Sequence, residues 1–146
     1  MNAKLVISVL LIVALSSKLI AQQKVSVVIA KKENKCGDSI DLGFSWFSSQ
    51  SQSASDLRKK AKSKVISDNY DYESTESITE FNGCTYMIII SSKIKDGSCY
   101  TLRYGVGFAN DRSSALHNAK KNLTGRNWKW SSSRDGFTIV EEKRFY

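Results

Sequence analysis

The first residues that could do chemistry are the only histidine, His117, and the glycine pair Gly105 and Gly107. They fall in "YGVGFANDRSSALHNAKKNL", Tyr104 to Leu123, where a strand pattern runs through Gly-x-Gly into an amphipathic helix. Strand, glycines and helix start are the parts of a phosphate-binding turn, in which backbone amides at a helix end meet an anion. A dinucleotide fingerprint also needs a third glycine. Here Phe108, Ala109 and Asn110 follow instead, acidic Asp111 stands at the helix start, and no P-loop lysine–serine pair is present. The alternation puts both glycines inside the strand on one face, which marks a bulge or a close backbone approach.

His117 fares no better as a catalyst. A catalytic imidazole needs a nucleophile and usually a carboxylate in reach. One helical turn away lie Ser113 and Ser114 on one side and Lys120 and Lys121 on the other. Position 117 lies beside the apolar stripe, off its centre, so a surface or boundary role is expected. One histidine and three scattered cysteines supply no closely spaced metal-ligand pair. The acidic stretch Asp68–Glu80 contains no paired-carboxylate motif. No catalytic residue, metal or cofactor is therefore expected.

Three groups of residues keep a functional meaning. The run "RKKAKSK" puts Arg58, Lys59, Lys60, Lys62 and Lys64 on the outward side of a helix whose Leu57, Ala61 and Val65 point in. A second helix adds Lys120 and Lys121. If the two helices lie side by side, they form one cationic face able to track a phosphate or sulfate backbone. Lysine outnumbers arginine in it, so the contact would be point-charge attraction rather than planar bidentate recognition. Trp128 and Trp130 in "NWKWSSSRDG" share a strand face by alternation. Exposed, with Arg126 and Arg134, they would suit a sugar or a base; buried, as is expected of large aromatics, they close the core. Finally, the glycine-lined side of the sheet, with Gly43 repeating the feature upstream, would be open to a partner.

Of the cysteines Cys36, Cys84 and Cys99, two can pair and one is left over. Cys84 opens one strand candidate and Cys99 the next, so Cys84–Cys99 is the first expectation and Cys36–Cys99 the alternative. The unpaired thiol would most often be buried.

These residues need elements to hold them. Lys24–Ala30 is a β-branched strand, and Ile40–Phe47 alternates with Ile40, Leu42, Phe44 and Trp46 on one face and Asp41, Gly43 and Ser45 on the other. Ala54–Ile66 takes helical spacing behind a serine cap. Asp68–Phe81 reads as a long polar loop. Thr85–Ile90 is apolar on both faces, a central strand. Leu102–Phe108 alternates, Ser113–Leu123 is helical, and the closing strand runs through 137–144. "IDLGFS" (Ile40–Ser45) matches "YGVGFA" (Tyr104–Ala109) in character, each with a cysteine upstream and an Ala-Lys-bearing helix downstream. The expected fold class is α+β: about five antiparallel strands carrying two helices on one face. It would be built from duplicated ββα units over about 24–67 and 84–124.

The ends and the charge set the compartment. Met1–Lys4, the apolar run Leu5–Leu15 and the polar Ser16–Gln23 follow the grammar of a secretory signal peptide. The apolar run is shorter than the roughly 20 residues a membrane span needs. Cleavage is expected after Ala21, with Ser17 the fallback, leaving one domain over 22–146 and no transmembrane span. The chain carries a formal charge of +8, and without Lys4 and Lys18 the balance is about +6. The expectation is a secreted or periplasmic, disulfide-bonded, non-enzymatic binding domain. Its partner would be anionic: a surface, a polymer or an acidic protein. The competing class is an exported enzyme or inhibitor, with Cys36 as thiol and His117 as a distant base. A third is an assembly or interaction subunit using an edge strand. Asn122-Leu123-Thr124 is a glycosylation acceptor only in a eukaryotic source.

Overall fold

A strand with apolar side chains on both faces must be covered on both, and two such strands organise this molecule. The computed structural model describes residues 22–146; the signal peptide expected over 1–21 lies outside the described residues. The first organising strand is β1 (Lys24–Glu33), buried from Val25 through Ala30. It pairs antiparallel with β2 (Ser39–Ser49) on one side and β3 (Ser74–Glu80) on the other. The second is β4 (Tyr86–Asp96), with Met87 to Ile90 fully buried. It lies between β5 (Cys99–Ala109) and β6 (Thr138–Arg144), again antiparallel.

The fold is α+β with two antiparallel three-stranded sheets, ordered β2-β1-β3 and β5-β4-β6. A single five-stranded sheet was the expectation, and β3 is the strand it lacked. "STESITE" has too few apolar residues to read as a strand. It is an edge, held by β1 backbone pairing and by small contacts such as the 3.0 Å hydroxyl pair Ser26–Thr79.

The two sheets pack face to face. Val25, Val27 and Ile29 of β1 meet Met87 and Ile89 of β4, with Val106 and Phe145, in the central core. Phe44, Trp46, Tyr104 and Phe108, expected on the core face, pack against it. Phe44 and Tyr104 meet edge to face at 5.0 Å. The outer faces are covered by helices. Helix α1 (Ala54–Asp68) lays Ala61 and Val65 on Val28 and Ala30. Helix α2 (Arg112–Arg126) lays Ala115, Ala119 and Leu123 on Ile88 and Ile90. The layers therefore run helix, sheet, sheet, helix, and the expectation of both helices on one face is corrected. One sheet face per helix leaves the other face apolar, and only the second sheet can cover it.

Each helix starts as its sequence dictates. Ser53 accepts from the Asp56 amide at 3.1 Å, and Asp111 accepts from the Ser114 amide at 2.8 Å. Such caps satisfy amide donors that the first turn leaves free. A short helix, α3 (Ser132–Asp135), precedes β6.

Gly105 and Gly107 are explained by α2. A Cβ on Gly107 would lie 2.0 Å from the Ala115 carbonyl oxygen, and one on Gly105 2.4 Å from that of Ala119. The glycines let helix backbone rest on strand backbone, so the side expected to be open to a partner is closed by α2.

Candidate functional site

The two ends of the sandwich differ. At one end lie the β1–β2 and β4–β5 turns and the helix C-termini; at the other lie the start of β1 and the ends of β5 and β6. The first end is tied by a disulfide between Cys36 and Cys99. The expected Cys84–Cys99 pairing is thereby corrected. Cys99 pairs with Asp96 at the turn of the β4–β5 hairpin, whereas Cys84 precedes β4 at the open end. Eleven residues of β4 hold them on the order of 30 Å apart. Cys84 remains a free, buried thiol, and burial, aided by the charge of Glu80, pushes it up to about 11. With Cys36 in the disulfide and Cys84 protonated at neutral pH, no thiolate faces His117, which is itself exposed on α2.

Beside the disulfide, charges cross between the sheets. Asp41 of β2 is fully buried and accepts from Arg126 Nη1 at 2.7 Å and Nη2 at 3.0 Å, and from the Tyr104 amide at 2.7 Å. Arg126 also donates to both carboxylate oxygens of Glu76, at 3.1 and 2.9 Å, and to the Tyr104 carbonyl. All five of its N–H groups are thus used. Burial opposes the charge on Arg126, but Asp41 and Glu76 outweigh it and hold the guanidinium above its ordinary range. Burial likewise works against ionising Glu76, yet Arg126 and Lys31 keep its carboxyl below the usual range.

Sequence alternation put Asp41 on the polar face of its strand with Gly43 and Ser45. The structure re-aims it. Between Ala30 and Lys31 the β1–β2 register slips, so Gly43 faces Ala30 but Asp41 faces Lys31, and Leu42 is skipped. A bulge of this kind turns a side chain to the other face. Leu42 consequently packs under α1, away from Phe44 and Trp46, and Asp41 turns inward. The expected common face of Ile40, Leu42, Phe44 and Trp46 is split there.

Next to this cluster is a cavity of about 250 Å³, lined by Arg103, Arg126, Asp38, Asp96, Asn127, Trp128 and Lys129 among others. Arg103 reaches Asp41 at 3.4 Å and Ser39 at 3.5 Å through Nη1 alone. Its Nε is buried and has no hydrogen-bond partner among the described residues. Lys129 pairs with Asp96, which raises its pKa through that hydrogen bond and charge; the charge of Asp38 adds to this without contact. The two tryptophans do not share a face. Trp130 is buried, donating Nε1 to Ser92 at 3.0 Å and the Gly136 carbonyl at 3.2 Å, while Trp128 is 81% exposed. Arg134 turns to Asp135 and the Lys129 carbonyl.

The basic residues keep to the outside. Arg58, Lys59, Lys60, Lys62 and Lys64 are all exposed on α1 around the buried Leu57, Ala61 and Val65. Lys60 donates to Gln52 at 3.0 Å and Lys64 pairs with Asp68 at 2.8 Å. Arg58, Lys59 and Lys62 have no acidic partner among the described residues. Lys120 and Lys121 lie on α2, on the opposite outer layer, with the Lys120 ammonium 4.5 Å from the Phe137 ring centroid. The two sets do not join into one surface. Asn122 is half-buried, and its Oδ1 accepts from the Val106 amide at 3.0 Å.

At the opposite end a second cavity, of about 210 Å³, is lined by Gln23, Gln50, Asn82, Cys84, Asn110 and Phe145 among others. Among the described residues no helix is long and apolar enough to cross a membrane. No family model matches the sequence, and no curated protein or solved structure matches it.

Proposed function

We propose that the protein is an exported, non-catalytic binding domain that engages an anionic polymer or surface through the outer face of α1. The observation that carries this reading is the set Arg58, Lys59 and Lys62, exposed and without acidic partners among the described residues, with Lys60 and Lys64 beside them. Charges left unpaired on one helix face produce a local positive potential that a polyanion neutralises with release of its counterions. The disulfide and the absence of a membrane-crossing helix among the described residues fit an exported protein. The protonated state of Cys84 disfavours the thiol-enzyme alternative.

Retention on immobilised heparin, eluted with a salt gradient, tests the reading. The wild-type chain is expected to bind and to elute at a salt concentration that falls clearly in the Lys59→Glu/Lys60→Glu/Lys62→Glu variant. Lys120→Glu/Lys121→Glu, on the far layer, should elute close to wild type. Equal retention of the α1 variant and wild type refutes the assignment.

A further inference from the structure

We propose that the cavity beside the disulfide is a saccharide subsite that takes one neutral pyranose ring, with Trp128 as its platform. Once internal bonds are counted, few groups in that cavity remain free. Arg126 has no donor left, since Asp41, Glu76 and the Tyr104 carbonyl take all five. Lys129 gives one N–H to Asp96, and the two charges offset each other. The groups left over beside the Lys129–Asp96 ion pair are Nη2 of Arg103, the Asp38 carboxylate, the amide nitrogen of Asn127 and the indole of Trp128, which has the Lys129 ammonium 5.8 Å from its ring centroid on one side. The Asn127 oxygen already accepts from the Lys129 amide at 3.0 Å, so its nitrogen is the free part.

Apart from that ion pair, the set is one cationic donor, one anionic acceptor, one neutral donor and one aromatic face. A simple anion would satisfy Arg103 but would be repelled by Asp38, and a simple cation the reverse. Hydroxyl groups both donate and accept, so a polyol ring serves all three polar groups without bringing a charge. Its weakly positive C–H face suits the negative face of an indole. Trp128 is 81% exposed while its neighbour Trp130 is buried and fully bonded, so the exposure is local to the cavity rim. A cavity of about 250 Å³ lies below the range of drug-sized sites and fits one ring rather than a chain. The unpartnered Arg103 Nε adds a reason for the site to bind, because an unpaired buried donor carries a standing desolvation cost. A small shift of that side chain on binding would relieve it.

The test is tryptophan fluorescence of the disulfide-bonded protein, titrated with glucose, galactose and N-acetylglucosamine, and separately with sodium sulfate and glucuronate. Saturable quenching by at least one neutral sugar is expected, with Kd on the order of 1 mM for so small a contact. Trp128→Ala should abolish it. Asp38→Asn and Arg103→Gln should each weaken it about tenfold, with folding checked by an unchanged near-ultraviolet circular dichroism spectrum. Absence of a saturable response to all three neutral sugars overturns the proposal, as does tighter binding of sulfate or glucuronate, which would make this an anion site. The α1 triple variant should respond to sugar as wild type does, and Trp128→Ala should keep its heparin retention. Failure of one reading is therefore visible without failure of the other.

Discussion

Replacing Asp41 by Asn isolates the buried charge that joins the two sheets. The substitution keeps the shape of the side chain and removes its negative charge. Asp41 is 0% exposed and Arg126 7% at the side chain, so solvent screening gives little relief. An asparagine can still accept from one donor, but its amide nitrogen would face another N–H. Breaking a buried ion pair from one side costs about 3–5 kcal/mol. Glu76 still holds two of the Arg126 donors, which puts this case at the lower end, about 3 kcal/mol. Against a typical domain stability of about 5–15 kcal/mol the loss is large. For a domain of this size it should lower Tm by roughly 12 °C. Urea unfolding with the disulfide intact, followed by circular dichroism, measures it directly. Arg126→Met should cost a similar amount, since it leaves Asp41 with only the Tyr104 amide and the 3.4 Å contact of Arg103. The double variant Asp41→Leu/Arg126→Met should recover part of the loss, because neither member of the pair is left buried without the other; Arg103, which loses its 3.4 Å contact to Asp41, limits the recovery. A loss below about 1 kcal/mol for Asp41→Asn, or strict additivity in the double variant, would refute the reasoning.

The remaining predictions concern packing, the disulfide and acid. Gly107→Ala places a methyl 2.0 Å from the Ala115 carbonyl oxygen, so α2 must retreat, at a cost of about 3 kcal/mol in thermal or urea unfolding. Gly125→Ala, with nothing within 4 Å of the added methyl, should be neutral or stabilising by up to about 1 kcal/mol. Cys36→Ala/Cys99→Ala opens a link across 63 residues and should cost about 4 kcal/mol. In the wild-type protein one thiol, Cys84, should react with a thiol reagent after denaturation and not before; fast native labelling would contradict its burial. Glu76 has a folded-state pKa below its ordinary value of 4.5, so it contributes stability present above that value and lost as pH falls through the folded one. Glu76→Gln should flatten the acid limb of the stability profile below about pH 4.5; an unchanged limb would remove Glu76 from the account.

How much of this was legible in the sequence depended on how local each signal was. The central strands were readable, because a run such as Thr85–Ile90 with no polar face has few other places to go. The serine cap of α1, the helix stripes and the backbone approach at Gly105 and Gly107 were carried by short spacings, whereas α2 is capped by Asp111 rather than by the serines that follow it. The second sheet was also implied, though not recognised: helices could cover only one face of β1 and β4, and the apolar Val25, Val27, Met87 and Ile89 remained on the other. Edge strand β3 was hidden because its stability comes from pairing with β1 rather than from its own side chains. Of the two pairings open to the sequence, the alternative Cys36–Cys99 is the one formed; Cys84–Cys99 fails because closeness along a hairpin sequence says nothing about which end of the hairpin a residue occupies. Asp41–Arg126 spans 85 positions, and a single bulge decides which face Asp41 takes. No periodicity argument sees such a bulge, since one skipped residue reverses everything beyond it.

That bulge also explains why the two halves, alike in topology, end differently. Each half is strand, strand, helix, strand, with helices of 15 residues and closing strands of 7. The buried triplets Leu57, Ala61, Val65 and Ala115, Ala119, Leu123 occupy the same helical positions, and Asn69 and Asn127 follow as C-caps. The last helical residue breaks the likeness: Asp68 is exposed and pairs with Lys64, whereas Arg126 turns in toward the other half. An inward arginine is tolerable only if the first half supplies acceptors, and the re-aimed, buried Asp41 with the partly buried Glu76 supplies them. Arg126 is thereby fully consumed in holding the sheets together. Arg103, second to reach Asp41, is left with weak contacts and an unbonded Nε beside the cavity. The residue with chemistry to spare at this end is consequently not the best-bonded arginine but the one the cluster could not satisfy.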